Sequence, residues 1–205
     1  RITQALSSML GDAEIVSSDI AEGMLRYGLH HRHIDVAVCG DMENLPFAER
    51  AFDLCFSNMA MQWCSSPKAV LSSLYRVLKP GGQLCFSTLL PGTMRELARA
   101  WASVDTAVHV NQFASNQQWR EAMSQLGFLV RYEEFCVELE YFADFSALAN
   151  SLKQVGAHNV NTGRRLGLLG RQQYRALLAA YEQMRAPERG LPLSYVVAYW
   201  VLEKN

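Results

Sequence analysis

Phe52-Asp53-Leu54-Cys55-Phe56-Ser57-Asn58-Met59-Ala60-Met61-Gln62-Trp63-Cys64-Ser65-Ser66-Pro67-Lys68-Ala69-Val70-Leu71-Ser72-Ser73-Leu74-Tyr75-Arg76-Val77-Leu78-Lys79-Pro80-Gly81-Gly82-Gln83-Leu84-Cys85-Phe86-Ser87-Thr88-Leu89-Leu90 compresses a strand, a helix and a second strand into one segment. Phe52 to Ser57 reads as the first strand, with Asp53 near its start. Ser66-Pro67 sets a capping hydroxyl before a proline at the first helical position. Val70, Leu71, Leu74 and Leu78 then share one helix face, and Lys79-Pro80-Gly81-Gly82 stops the helix. Gln83 to Leu90 is the second strand, bounded by Pro91-Gly92.

The same alternation extends upstream. Ile2 to Leu10 has helical spacing and stops at Gly11. Glu14 to Asp19 reads as a buried strand ending on an acid, and Asp19 can cap a helix to about Tyr27 that stops at Gly28. Ile34 to Cys39 is a further strand, running into Gly40-Asp41, and Pro46 with Ala48-Glu49-Arg50 makes a loop. Strands and helices alternating at this spacing predict right-handed βαβ units and a mostly parallel α/β sheet.

Beyond Pro91 helices predominate. Thr93 to Val104, Ser115 to Leu126, Phe145 to Val155 and Gln172 to Met184 are predicted helices, with Ser115 as cap and Gly127 as stop. Phe128 to Leu139 and Leu193 to Leu202 are predicted strands. No repeat or linker interrupts the 205 residues, so a single domain is expected.

Half the residues are hydrophobic and 19% are charged, which excludes a disordered chain. No apolar run approaches the roughly 18 residues of a membrane span. A net charge of −1 argues against a field built for nucleic acid. That total hides an asymmetry: residues 1–150 carry 11 Lys/Arg against 17 Asp/Glu, whereas 151–205 carry 8 against 3. The basic quarter reads either as a docking surface for an anionic partner or as solvated helix faces. Cys39, Cys55, Cys64, Cys85 and Cys136 form no C-x-x-C pair and read as reduced thiols of a cytoplasmic protein. No metal site is expected; His30-His31-Arg32-His33 reads as a surface loop.

In an open parallel sheet, ligands bind at the carboxyl ends of the strands. Here those ends carry Asp19, Gly40-Asp41 and Ser57-Asn58. An acid after a strand reads first as a helix cap. On consecutive strands, however, Asp19 can accept both hydroxyls of a ribose diol, Asp41 can accept from an adenine amine, and Met42 can cover the ring. Together they favour an adenosine pocket.

Ser18-Asp19-Ile20-Ala21-Glu22-Gly23-Met24-Leu25, Gly40-Asp41-Met42-Glu43-Asn44-Leu45-Pro46-Phe47, Phe52-Asp53-Leu54 and Leu78-Lys79-Pro80-Gly81-Gly82 resemble successive motifs of class I S-adenosylmethionine-dependent methyltransferases. The resemblance covers about residues 1–90. It implies a Rossmann-like sheet whose last strand is antiparallel, with helices on both faces, and S-adenosylmethionine as cofactor. It implies Asp19 on the ribose, Asp41 on the adenine amine, Ile20 and Met42 on either side of the adenine, and Asn58 beside the methyl donor.

A narrower resemblance runs the length of the chain. Ser57-Asn58-Met59-Ala60-Met61-Gln62-Trp63-Cys64, Ser87-Thr88-Leu89, Asn111-Gln112-Phe113 and Ser151-Leu152-Lys153-Gln154-Val155-Gly156-Ala157 are similar to the malonyl-[acyl-carrier protein] O-methyltransferases of biotin synthesis, as is the loop from Gly163-Arg164-Arg165 to Leu169-Gly170-Arg171. The implied reaction methylates the free carboxylate of a malonyl thioester on acyl-carrier protein, an early step towards the pimeloyl chain. Residues 91–180 would then include helical insertions covering the substrate.

One departure stands out. The family's first strand and its Gly-rich loop, which contacts the methionine part of the cofactor, do not occur in this sequence, and Arg1 falls in the helix after that loop. A chain starting there would leave two neighbouring strands unpartnered, so a longer gene product is expected.

A carboxylate is already ionised at neutral pH, so its methylation needs alignment and desolvation rather than a general base. No catalytic dyad is expected. A malonyl carboxylate does need a cationic guide, for which Arg95, His109, Arg164 and Arg165 are candidates beside the alternative of ordinary surface residues. Trp63 reads either as a wall of the substrate channel or as a packed loop aromatic. Arg164, Arg165, Arg171 and Arg175 would suit an acidic carrier protein. Two other functions stay open: methylation of a free small molecule, and an inactive methyltransferase-like binding module.

Overall fold

The computed structural model describes residues 2–31, 34–154 and 170–205. The elements run α1 (Ile2–Leu10), β1 (Val16–Asp19), α2 (Glu22–His30), β2 (Val36–Cys39), β3 (Phe52–Asn58), a 3-10 turn (Met61–Trp63), α3 (Pro67–Val77), β4 (Leu78–Leu89), α4 (Arg95–Ala102), α5 (Asn116–Leu126), β5 (Phe128–Phe142), α6 (Phe145–Gln154), α7 (Arg171–Glu182) and β6 (Leu191–Lys204). This is the α/β alternation predicted from the sequence. The Ser66 hydroxyl caps α3, accepting from the Ala69 amide at 3.2 Å with Pro67 inside the first turn.

Two local expectations are corrected. Gly28 does not stop α2, which continues to His30. A Cβ on Gly28 would lie 2.9 Å from Ile34 Cδ1, so this glycine makes room for the approaching chain instead of ending the helix. Asp19 is not the N-cap of α2 either; that position is Ala21, whose amide donates to Asp19 Oδ1 at 2.8 Å. The Lys79-Pro80-Gly81-Gly82 stop does end α3, but it already belongs to β4, which starts at Leu78. Lys79 Nζ reaches across to both Asp53 carboxylate oxygens at 2.9 and 2.8 Å, fixing this first part of β4 beside β3.

The strands form two sheets among the described residues. β1 and β2 pair in parallel, with Val16 opposite Val36 and Asp19 opposite Cys39. The second sheet has the order β3-β4-β6-β5. β1 and β3 are not hydrogen-bonded to each other; both line a cavity of about 680 Å³ with Val16, Ser18, Phe52 and Phe56, closed by Thr3 and Leu6 of α1.

The chain divides into two compact units. The first comprises Arg1–Phe86, Gln117–Tyr132 and Trp200–Asn205; the second comprises Ser87–Asn116 and Glu133–Tyr199. In the first, α3 buries Val70, Leu71, Leu74 and Val77, and Phe86 stacks on Trp200 with ring centroids 5.1 Å apart. Trp119 lies 5.4 Å from Phe86, so the centre of this core is largely aromatic. The second unit is built on Met94, Leu97, Ala100, Leu148, Leu177, Tyr181, Leu191 and Leu193.

Glu96 is a buried acid of this second unit. Its Oε2 accepts from the Ser194 amide at 2.9 Å, and its Oε1 accepts from the Ser194 hydroxyl at 2.5 Å and from Arg95 Nε at 3.0 Å. Burial pushes its carboxyl up, but the hydrogen bonds from Ser194 and Arg95 outweigh that and hold it below the usual glutamate value. The folded state therefore favours the charged form. Its stabilising contribution is complete above the ordinary glutamate range and is lost as pH falls through the lowered value. Glu96→Gln is expected to cost about 1–3 kcal/mol in denaturant unfolding at pH 7. That cost should shrink as pH falls below the ordinary glutamate range and through the lowered value, where the folded wild-type carboxyl also takes up its proton; a cost independent of pH would refute the charged reading.

Candidate active site

The parallel register of β1 and β2 brings their carboxyl ends side by side, and the Gly40 amide donates to the Asp19 carbonyl at 3.1 Å. Gly40 is needed there: a Cβ would sit 2.6 Å from Pro46 Cδ and 3.6 Å from Ser18 Oγ. The close approach lets the loop after β2 fold back over the strand end. Asp41 Oδ1 accepts from the Glu43 amide at 2.9 Å and Asp41 bridges to Asn44, giving a tight turn with Met42 at its head. Asp19 and Asp41 are exposed, Met42 is half-buried, and Ile20 is 71% exposed. Each carboxylate spends Oδ1 on a local amide, and neither Oδ2 has a hydrogen-bond donor among the described residues. Two acceptor atoms at adjacent strand ends therefore face solvent.

The loop after β2 is fastened to α3 at several points. Glu43 Oε1 accepts from the Ser65 amide at 2.8 Å, the Ser65 hydroxyl at 2.7 Å and the Ser66 amide at 3.4 Å. Leu45 donates its amide to Ser73 Oγ at 3.0 Å. Arg76 donates from Nη1 to the Phe47 carbonyl and from Nη2 to that of Leu45, at 2.6 and 2.5 Å. None of these was singled out from the sequence. The available signals were the second serine before Pro67, unneeded for capping, and the polar residues Ser73 and Arg76 beside the apolar positions of α3.

β3 ends at Asn58, which is exposed, followed by Met59 with φ +51°, a left-handed conformation uncommon outside glycine. Gln62 Nε2 donates to the Met59 carbonyl at 2.7 Å and holds this bend. Ser57 is buried, and its hydroxyl has no hydrogen-bond partner among the described residues. The bend delivers Trp63, 43% exposed, at the end of the 3-10 turn. Burial pushes the Cys55 thiol up to about 12 and the Cys64 thiol up to about 11, the latter with help from Glu43 and Asp41. Both stay protonated and unreactive at neutral pH, in keeping with their reading as reduced thiols.

The remaining candidates belong to the second unit. Arg95 opens α4, exposed, and pairs with Glu96 at 3.0 Å. His109 is largely buried; its Nε2 lies 2.6 Å from Asp105 Oδ1, and its ring stacks on Trp101 at a centroid distance of 3.7 Å. The spacing Trp101-Asp105-His109 is a signal that sequence reading passed over. Arg171 and Arg175 are exposed and one turn apart on α7. Arg164 and Arg165 lie outside the described residues. Among the described residues no group of three metal-ligating side chains occurs, and no helix is long and apolar enough to cross a membrane.

The solvent-facing acids at the ends of β1 and β2 fit the adenosine part of S-adenosylmethionine, and the fold around them has many solved counterparts. A methyltransferase-class protein of Bacillus halodurans C-125 superposes with a TM-score of 0.63 at 16% identity, over 94% of this chain and 83% of its own. Geranyl diphosphate C-methyltransferase of Streptomyces coelicolor A3(2), solved with S-adenosyl-L-homocysteine, gives 0.56 at 11% identity, over 98% and 66%. The architecture is thus a Rossmann-like class I methyltransferase fold, consistent with S-adenosylmethionine as cofactor.

Sequence comparison narrows this. The family model described as a methyltransferase domain matches residues 1–86. The malonyl-[acyl-carrier protein] O-methyltransferase of Hahella chejuensis is 41% identical over 209 residues, covering 99% of this chain and 73% of the relative. The biotin biosynthesis bifunctional protein BioHC of Cellvibrio japonicus is 46% identical over 195 residues; the chain spans 38% of that protein's length. The chain belongs to the S-adenosylmethionine-dependent class I methyltransferases, in the group related to the biotin-pathway malonyl-[acyl-carrier protein] O-methyltransferases.

Proposed function

We propose that this protein methylates the free carboxylate of a malonyl thioester carried on acyl-carrier protein, in the synthesis of biotin. The observation that carries the substrate reading is the extent of the similarity to the Hahella chejuensis relative, 41% identity across 99% of the chain. Such coverage includes the helices after residue 90, where a substrate-covering role for residues 91–180 would lie, and not only the nucleotide-binding half.

S-adenosylmethionine, when bound, supplies a methyl group already activated on a sulfonium sulfur. The residues of this chain have the remaining tasks. Asp19 and Asp41 hold the ribose and the adenine amine, Ile20 and Met42 close on the ring, and Asn58 sits by the methyl donor. The substrate carboxylate arrives ionised, so the site must align and partly desolvate it rather than deprotonate it. Trp63 would wall the approach of the substrate. His109, fixed by Asp105 and Trp101, and Arg95 are the described candidates to guide the carboxylate. Arg171 and Arg175, with Arg164 and Arg165, would meet the acidic carrier protein, in a reducing cytoplasm that suits the protonated thiols.

The test is mass spectrometry of malonyl-acyl-carrier protein after incubation with enzyme and S-adenosylmethionine. One added methyl group on the malonyl arm is expected. Cofactor binding without transfer to the carrier-bound substrate would favour a free small-molecule substrate, and absence of cofactor binding would favour a non-catalytic binding role.

A further inference from the structure

The adenosine loop after β2 and the segment after β3 are separate in sequence, yet one carboxylate oxygen joins them. Glu43 Oε1 accepts from the Ser65 amide, the Ser65 hydroxyl and the Ser66 amide at 2.8, 2.7 and 3.4 Å. Glu43 is itself set by the Asp41 turn, through its amide on Asp41 Oδ1 at 2.9 Å. Ser65 follows Trp63 by two residues, and Ser66 caps α3. A path of hydrogen bonds therefore runs from the proposed adenine-binding carboxylate to the turn that presents Trp63. The helix then secures the far side of the same loop, through Ser73 on the Leu45 amide and Arg76 on the Leu45 and Phe47 carbonyls.

We infer that Glu43 is a positioning residue that couples the adenosine loop to the Trp63 turn, so that the wall of the substrate approach is held in register with Asp41 and Met42 and responds when cofactor binds there. This rests on the reading of the strand ends as an S-adenosylmethionine site. The proposed role of Glu43 is positioning through Asp41 and Ser65, not contact with cofactor or substrate. It acts by holding Asp41 and the Ser65 segment in one geometry, so the turn at Asp41 need not be ordered afresh on binding. An acceptor oxygen suffices, because all three contacts on Glu43 Oε1 come from N–H or O–H donors. Glutamine supplies that oxygen and alanine does not.

The experiment is calorimetric titration of the full-length protein with S-adenosylhomocysteine, together with ligand-induced tryptophan fluorescence referenced to Trp63→Phe. Glu43→Ala is expected to weaken binding about tenfold and to lose the Trp63 response even at saturating ligand. Glu43→Gln is expected to restore the response and to stay within about threefold of wild type. Ser65→Ala, which removes one donor and leaves α3 capped by Ser66, should weaken binding less, and its effect should vanish in the Glu43→Ala background. A Glu43→Ala protein that binds and responds as wild type does overturns the coupling while leaving the cofactor site standing. Equal losses in Glu43→Ala and Glu43→Gln overturn it as well, as do additive losses in the Glu43→Ala, Ser65→Ala pair. Wild-type protein that fails to bind at all removes the cofactor reading itself, and the coupling with it.

Discussion

Asp19→Ala is expected to weaken S-adenosylhomocysteine binding by roughly a hundredfold and to lower the melting temperature by no more than a few degrees. The two effects separate because the side chain has two distinct employments. Asp19 Oδ1 holds the Ala21 amide at 2.8 Å in an exposed turn ahead of α2, a local bond of small worth to the fold. Oδ2 has no donor among the described residues, and the side chain is exposed at the end of β1. A carboxylate accepting from both hydroxyls of a ribose diol makes two charge-assisted bonds, each worth about 1.5–3 kcal/mol. Calorimetry checks the size of the loss. A 2′-deoxy analogue of the ligand checks its cause: the analogue should bind wild type more weakly than the parent, and that difference should disappear in Asp19→Ala. A difference of the same size in both proteins would move the ribose contact to another residue.

The elements whose sequence signal is local were legible without the structure. Ser66-Pro67 fixes where α3 begins because a cap and a proline act within one turn, and α3 starts at Pro67. The acids at the ends of β1 and β2 were legible for the same reason, since a strand followed by an acid is read within a few residues. Long-range requirements were not legible. Gly28 looked like a helix stop, but what it answers to is Ile34, six positions away and pressed against it in space. Glu43 looked like one more loop acid; its importance comes from Ser65 and Ser66, more than twenty residues later. Arg76, which braces the same loop, gave no indication of which carbonyls it would meet. The strand-end acids were thus readable from the sequence, and the bonds that brace the loops around them were not.

The aromatic core of the first unit sets the other large effect. Trp200→Ala is expected to cost about 3–5 kcal/mol, against a whole stability that is ordinarily about 5–15 kcal/mol for a domain. Trp200 is fully buried on β6, stacked on Phe86 at 5.1 Å and tilted against Trp119 at 6.1 Å. Truncation therefore loses the transfer free energy of the indole, leaves a cavity that rigid strands close poorly, and removes two ring contacts. At this chain length the melting temperature should fall by roughly 6–20 °C. The control uses the same substitution elsewhere: Trp63, 43% exposed, should tolerate alanine within about 0.5 kcal/mol. Denaturant unfolding of both variants decides the point. If Trp63→Ala proves the more costly, then the Trp63 turn, and not the Phe86-Trp119-Trp200 cluster, is what the first unit is built around.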